Sequence, residues 1–212
     1  PKLIVSAKLN IISFVIAIAI GTPLGFYAAV HNGTVRDPIV VIFSLVFYAM
    51  PVFFTAPFLI LIFALQLDLV PAAGWGGVFD KRIILPAITI GIPGAAVFVR
   101  LIRSSMIEVL DTDYVKLARA KGVSENKVLW KHAFRNALIP VLTIIGLQFS
   151  FLIAGAIIIE NVFFLPGIGR LIFQGIVQRD LIVVESVVML LVFSVIIVNF
   201  LVDMAYLYVD PR

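Results

Sequence analysis

RLIRSSMIEVLDTDYVKLARAKGVSENKVLWKHAFR, residues Arg100 to Arg135, stands between two long runs without charge. It holds eight Lys or Arg (Arg100, Arg103, Lys116, Arg119, Lys121, Lys127, Lys131, Arg135) against four acids (Glu108, Asp111, Asp113, Glu125). That excess equals the formal net charge of the whole chain, +4, so the other residues sum to zero. A basic interruption between apolar runs is the pattern of a loop joining membrane spans, and the positive excess places it on the cytoplasmic side.

The composition agrees. A hydrophobic fraction of 62 % with 13 % charged residues lies far from soluble domains, where about half of the residues are apolar and about a quarter charged. The mean hydropathy is +1.17. A soluble domain of this length lacks the polar surface to cover so much apolar interior. The chain therefore reads as an integral membrane protein. Its pI near 9.5 does not argue for nucleic acid, because the cations sit in one inter-span segment, where they report topology. No Cys is present, which excludes disulfides, thiolate metal sites and cysteine nucleophiles.

A membrane-crossing helix needs roughly 20 apolar residues, and five segments qualify: Leu9–Val30, Pro38–Leu67, Ile83–Val99, Asn136–Ile159 and Ser186–Val202. The second would reach about 45 Å as a straight helix, longer than the hydrocarbon core of ~30 Å, so Pro51 and Pro57 are expected to kink it. The Val/Ile-rich runs are too long for barrel strands and do not alternate. The expected fold is an all-α, polytopic transmembrane bundle forming one domain over residues 1–212. With the Arg100–Arg135 loop inside, Asp68–Arg82, Glu160–Asp180 and the N-terminus fall outside. Five spans put the termini on opposite sides, and an N-terminal span upstream of Pro1 is expected to be missing. Gly21 and Gly25, with Ala154, Gly155 and Ala156, are candidate positions of close helix approach, although Gly is also simply common in membrane helices.

Within the loop, Asp111, Thr112 and Asp113 offer N-cap side chains to a short helix. That helix runs from Tyr114 to Lys121, with Gly122 in the terminating position. Ser124 is expected to cap a second helix leading into the fourth span. Tyr114, Leu117, Ala118 and Lys121 share one face. Small residues beside Arg119 and Lys121 would let a partner surface approach while the cations meet its acids. A solvated loop whose charges only orient the chain is the plainer alternative.

The segment DYVKLARAKGVSENKVLWKHAFRNALIP resembles the EAA loop of ABC importer permeases, in the variant of the dipeptide, oligopeptide and nickel permease family. Its Glu-Ala-Ala positions read Lys116-Leu117-Ala118, followed by Gly122. Glu160-Asn161-Val162-Phe163-Phe164-Leu165-Pro166-Gly167-Ile168-Gly169-Arg170 is similar to a second signature of that branch. The ending Asp203, Tyr206, Asp210-Pro211-Arg212 is similar to a third. The resemblance implies a multi-pass permease subunit in a bacterial or archaeal plasma membrane. It implies a second permease subunit, usually in a heterodimer, two cytoplasmic ATPase subunits that carry ATP and Mg, and an extracytoplasmic substrate-binding protein. It also implies that Asp113, Tyr114, Ala118, Arg119, Ala120, Lys121 and Gly122 dock the ATPase and pass its motion to the spans. The cargo would be a peptide or nickel.

No catalytic constellation or metal site is expected. The two histidines, His31 and His132, lie in loops, and no HExxH, Gly-x-Ser-x-Gly or phosphate-binding glycine loop occurs, so no cofactor is expected on this chain. Gln148, Glu160 and Asn161 are candidate translocation-path residues, with a structural anchoring role for Glu160 as the alternative. An ion-coupled secondary transporter, which would ordinarily carry a mid-span carboxylate, and a non-transporting membrane scaffold subunit remain the other function classes.

Overall fold

The computed structural model describes residues 2–138, 141 and 157–209, and every regular element among them is helical. α1 (Lys2–Val30) is followed by α2 (Arg36–Ala49) and α3 (Val52–Leu59), which continues as a π-helical stretch, Ile60–Gln66. A 3₁₀ turn, Lys81–Ile83, opens α4 (Ile84–Leu110). The charged segment forms α5 (Asp113–Ala120) and α6 (Glu125–Lys127), the latter widening into a π-helical Val128–Phe134. After the fourth expected span come α7 (Ile157–Val162), α8 (Ile168–Gln178) and α9 (Leu181–Val209).

By length and composition, Lys2–Val30 and Lys81–Leu110 can each cross a membrane, and Arg36–Ala49 with Val52–Gln66, bent by 95° between them, forms a broken span or a re-entrant loop. α9 covers the whole of the fifth expected span. Most of the fourth, including Gln148, Ile139, Pro140 and Ala154–Ala156, lies outside the described residues, as does the Asp210–Arg212 ending.

The expected single kinked helix over Pro38–Leu67 is two helices. α2 stops at Ala49, and Pro51 stands before α3 in an extended conformation (φ −63°, ψ 133°). Proline has no N–H to offer and disfavours a helical residue before it, so the chain breaks there. Pro57 is tolerated inside α3. Beyond it the ladder loosens, with Leu67 N–H donating to Ile62 O at 3.0 Å, a five-residue step typical of a π-helix. The expected Glu160–Asp180 connection likewise contains a helix, α8.

The chain forms two compact units, each assembled from segments distant in sequence. In the unit built from Pro1–Val15, Met50–Gly91 and Gly146–Arg212, α8 lays Ile168 and Ile172 against Val187 of α9, with Leu3 and Ile157 closing the cluster. Arg179, at φ 56°, ends α8, and Asp180 accepts from Val183 N–H at 3.1 Å, opening α9.

In the unit built from Ile16–Ala49 and Ile92–Ile145, Gly21 and Gly25 bring α1 against α4. A Cβ at Gly21 would stand 2.6 Å from Ala95 O, and one at Gly25 2.7 Å from Val99 O, closer than any side chain tolerates. Phe98, Val99, Ile102 and Met106 fill the contact and are essentially fully buried.

Candidate functional site

The charged segment folds as a stiff helix–turn–helix. Val115 seats α5 and is fully buried. The helix ends at Gly122, whose φ is +76°. Val123 N–H donates to Ala118 O (3.2 Å) and Gly122 N–H to Arg119 O (2.9 Å), the paired bonds of a Schellman termination. A residue with a Cβ takes that left-handed backbone only at a cost.

The caps differ from expectation. Neither Thr112 nor Ser124 makes a side-chain cap bond. The Thr112 hydroxyl donates back to Val109 O at 2.6 Å instead, because the last carbonyls of α4 lack intrahelical donors and compete for it. Asp111 pairs with Lys116 at 2.8 Å. The hydrogen bond from that ammonium holds the Asp111 carboxyl below its ordinary range, and the same bond raises Lys116.

Across the turn, the Arg119 guanidinium forks onto Glu125, with Nε at 3.1 Å and Nη2 at 2.7 Å. The fork pulls the Glu125 carboxyl below the usual glutamate range. Arg119 is therefore engaged within the loop rather than standing free for a partner's acid. Asn136 Nδ2 donates to Tyr114 Oη at 2.9 Å. Trp130 stacks on Phe26 with ring centroids 4.6 Å apart, and Phe134 meets the same ring edge-on at 5.4 Å.

These ties make one body of α5, the turn and the π-helical segment. Asp113, Tyr114, Arg119, Ala120, Lys121 and Gly122 are exposed on it, and Ala118 is half-buried. Leu117, 55 % exposed, adds an apolar contact to that face.

The other unit holds a different arrangement. Glu160 is fully buried at the end of α7, and donors converge on its carboxylate. The Ser6 hydroxyl donates to Oε1, and the Arg170 N–H to Oε2 at 2.9 Å. Ser6 in turn accepts from Ile168 N–H at 2.9 Å. The first amides of α8 have no intrahelical acceptors, and a carboxylate there also favours the positive end of the helix dipole. Gly167 faces the carboxylate so closely that a Cβ would collide with it. Nearby, Phe163 O accepts from Gly74 N–H at 2.8 Å. Arg170 lies over the Phe164 ring, 5.1 Å from its centroid, and donates to Phe164 O at 3.1 Å. The Asn161 amide donates to Ile157 O on its own helix at 2.8 Å.

Residues 21–212 match the family described as binding-protein-dependent transport system inner membrane component. The chain belongs to that family. Over 208 residues it is 40 % identical to the oligopeptide transport system permease protein OppB of Haemophilus influenzae, covering 98 % of this chain and 68 % of that protein. It is 38 % identical to the dipeptide transport system permease protein DppB of Escherichia coli, covering 100 % of this chain and 71 % of that one. Among solved structures, an inward-facing MetNI methionine ABC transporter chain superposes with a TM-score of 0.81 at 17 % identity, over 99 % of this chain and 94 % of the other. A chain of an amino acid ABC transporter gives 0.69 at 15 % identity, over 96 % and 90 %. These likenesses identify the fold as that of type I ABC importer permeases.

In this permease the two groups of candidate residues divide between the units. The coupling-loop candidates come together on one surface, Glu160 and Asn161 sit in the other unit, and Gln148 is outside the described residues. Sequence reasoning missed Ser6 and a second buried acid, Asp37. Arg103 forks onto Asp37 through Nε and Nη2, the latter at 2.6 Å from Oδ2. An acid beside Arg36 in the first turn of a helix with no charge beyond that turn was the available signal for Asp37. A serine in an apolar helix carries none. Among the described residues no three His, Asp or Glu side chains gather as metal ligands.

Proposed function

We propose that this permease forms part of the translocation path of an ATP-driven peptide importer. Family membership carries the proposal: residues 21–212 match the inner membrane component family, and relatives near 40 % identity are named as oligopeptide and dipeptide permeases. ATP hydrolysis then resides on cytoplasmic partner subunits, and peptide arrives on an extracytoplasmic binding protein. A second permease subunit completes the path, in the inner membrane.

Thr112–Gly122 is the contact with the ATPase. The bracing of this loop supports that assignment, since Val115, Tyr114 and Arg119 tie α5 to the segment leading into the fourth span. Closure of the ATPase pair pushes on the exposed face of Asp113, Tyr114, Ala118, Ala120 and Lys121. The Schellman turn at Gly122 and the Arg119–Glu125 fork carry that displacement onward. Arg119 serves the coupling as a brace within the loop. Gln148 and Asn161 are proposed on the path, and the contacts of Glu160 favour an anchoring role.

The test is reconstitution of the permease pair with its ATPase subunits and binding protein in proteoliposomes. Peptide uptake is expected to require ATP and to vanish, together with ATPase co-purification, on deletion of residues 112–122. Uptake without ATP would assign the chain to secondary transport instead. ATPase binding without any uptake by the intact assembly would make it a scaffold.

A further inference from the structure

The face that α4 turns toward α2 near its basic end holds a cavity of about 460 Å³, lined by Val41, Val97, Arg100, Leu101, Arg103 and Ser104. Four of the α4 residues, Val97, Arg100, Leu101 and Ser104, follow the spacing of one helix face, and Val41 of α2 supplies the opposite wall. The stripe covers roughly 10 Å of axis. It runs from the apolar body of the span toward the charged loop, so its depth matches the boundary between acyl chains and headgroups.

The charges on this wall are not equivalent. Arg103 is committed to Asp37 through both fork nitrogens, and the two cancel. The Ser104 hydroxyl donates to Leu101 O at 3.0 Å. Arg100 is exposed and makes no ion pair among the described residues. The cavity therefore presents one net positive charge, on a guanidinium whose planar fork suits a phosphate oxygen pair. A phosphodiester carries a single negative charge that one guanidinium neutralises, whereas free inorganic phosphate near pH 7 is a mixture of mono- and dianion and is only partly compensated here.

From this match of charge, fork geometry and apolar-to-polar depth, we propose that the cavity binds the headgroup of an anionic phospholipid. Its phosphodiester lies on Arg100 and its acyl chains run along Val41 and Val97.

Native mass spectrometry of the detergent-purified transporter complex tests this with phosphatidylglycerol and phosphatidylcholine of identical acyl chains. Phosphatidylglycerol should be retained in preference, and Arg100→Gln should weaken its retention on the order of fivefold, the effect of one cation near a membrane surface. Arg100→Lys should keep most of the preference, which separates lost charge from lost folding. Equal retention of the two lipids by the unaltered complex would overturn the proposal. So would retention of phosphatidylglycerol by Arg100→Gln at the unaltered level. Displacement of the lipid by millimolar inorganic phosphate would make this a free-phosphate site. The chain has no cysteine, so Arg100→Cys introduces its single thiol. Efficient cross-linking of that variant to the second permease subunit would instead make the cavity a protein interface.

Discussion

Glu160→Gln keeps the size of the side chain but changes what it can accept. The carboxylate now takes the Ser6 hydroxyl on one oxygen and the Arg170 amide on the other. A carboxamide has one oxygen, so one of those donors must face an NH₂ group. Losing one hydrogen bond to a charged acceptor is worth about 1.5–3 kcal/mol. Losing the negative charge at the α8 N-terminus removes up to ~2 kcal/mol more. Allowing for overlap between these contributions, the expected destabilisation is about 2–4 kcal/mol. Glu160→Ala, which also opens a cavity and leaves Ser6 without its acceptor, should reach about 3–5 kcal/mol.

For a chain of this size such losses correspond to a melting shift of roughly 5–15 °C. The shift is measurable by thermal unfolding of the purified complex. Ser6→Ala should be strongly non-additive with Glu160→Ala, because both remove the Ser6–Glu160 bond. Shifts under about 2 °C for both Glu160 variants, or additivity with Ser6→Ala, would refute the claim that this carboxylate holds α8 in place.

Gly122→Pro should abolish ATP-driven uptake while the protein still inserts in the membrane, since proline cannot adopt φ near +76°; normal uptake would remove the turn from the coupling route. Asp37→Ala should destabilise by about 2–4 kcal/mol, as it leaves the partly buried Arg103 charge without its counter-ion. The double variant Asp37→Ala with Arg103→Ala should recover part of that loss in the same melting assay. Gly25→Leu should destabilise by at least about 1–3 kcal/mol through overpacking against Val99 and Ile102, and unchanged melting would show that α1 does not pack there as described. Glu125 should titrate below the ordinary glutamate range by carboxyl NMR and return to it in Arg119→Ala. Because its folded pKa is depressed, the pair's stabilisation is present above the unfolded glutamate pKa and is lost as pH falls through the folded one. On this exposed pair it should not exceed about 0.5 kcal/mol.

Much of this was legible in the sequence because it rests on local physics. Runs of some twenty apolar residues become helices, since a membrane leaves backbone groups no other partner. The cluster of cations marked the loop, and the glycine after Tyr114–Lys121 marked where its helix would stop. Those features depend on residues a few positions apart. Proline reasoning found the disturbance in Pro38–Leu67 but understated it as a kink, because whether a span bends or breaks depends on what packs beside it. The expected caps Thr112 and Ser124 stand at the N-cap positions without side-chain cap bonds; Thr112 had two helix ends to serve, and its sequence neighbourhood named only one.

The sequence alone therefore determined the membrane class, the helical fold and the position of the turn at Gly122. Tertiary structure alone decided which polar groups are buried and with whom. Ser6 meets Glu160 across 154 positions, and Arg103 meets Asp37 across 66. Neither separation follows from any helical period. Each pairing exists because long-range packing excludes water from a carboxylate, which must then find donors within the protein.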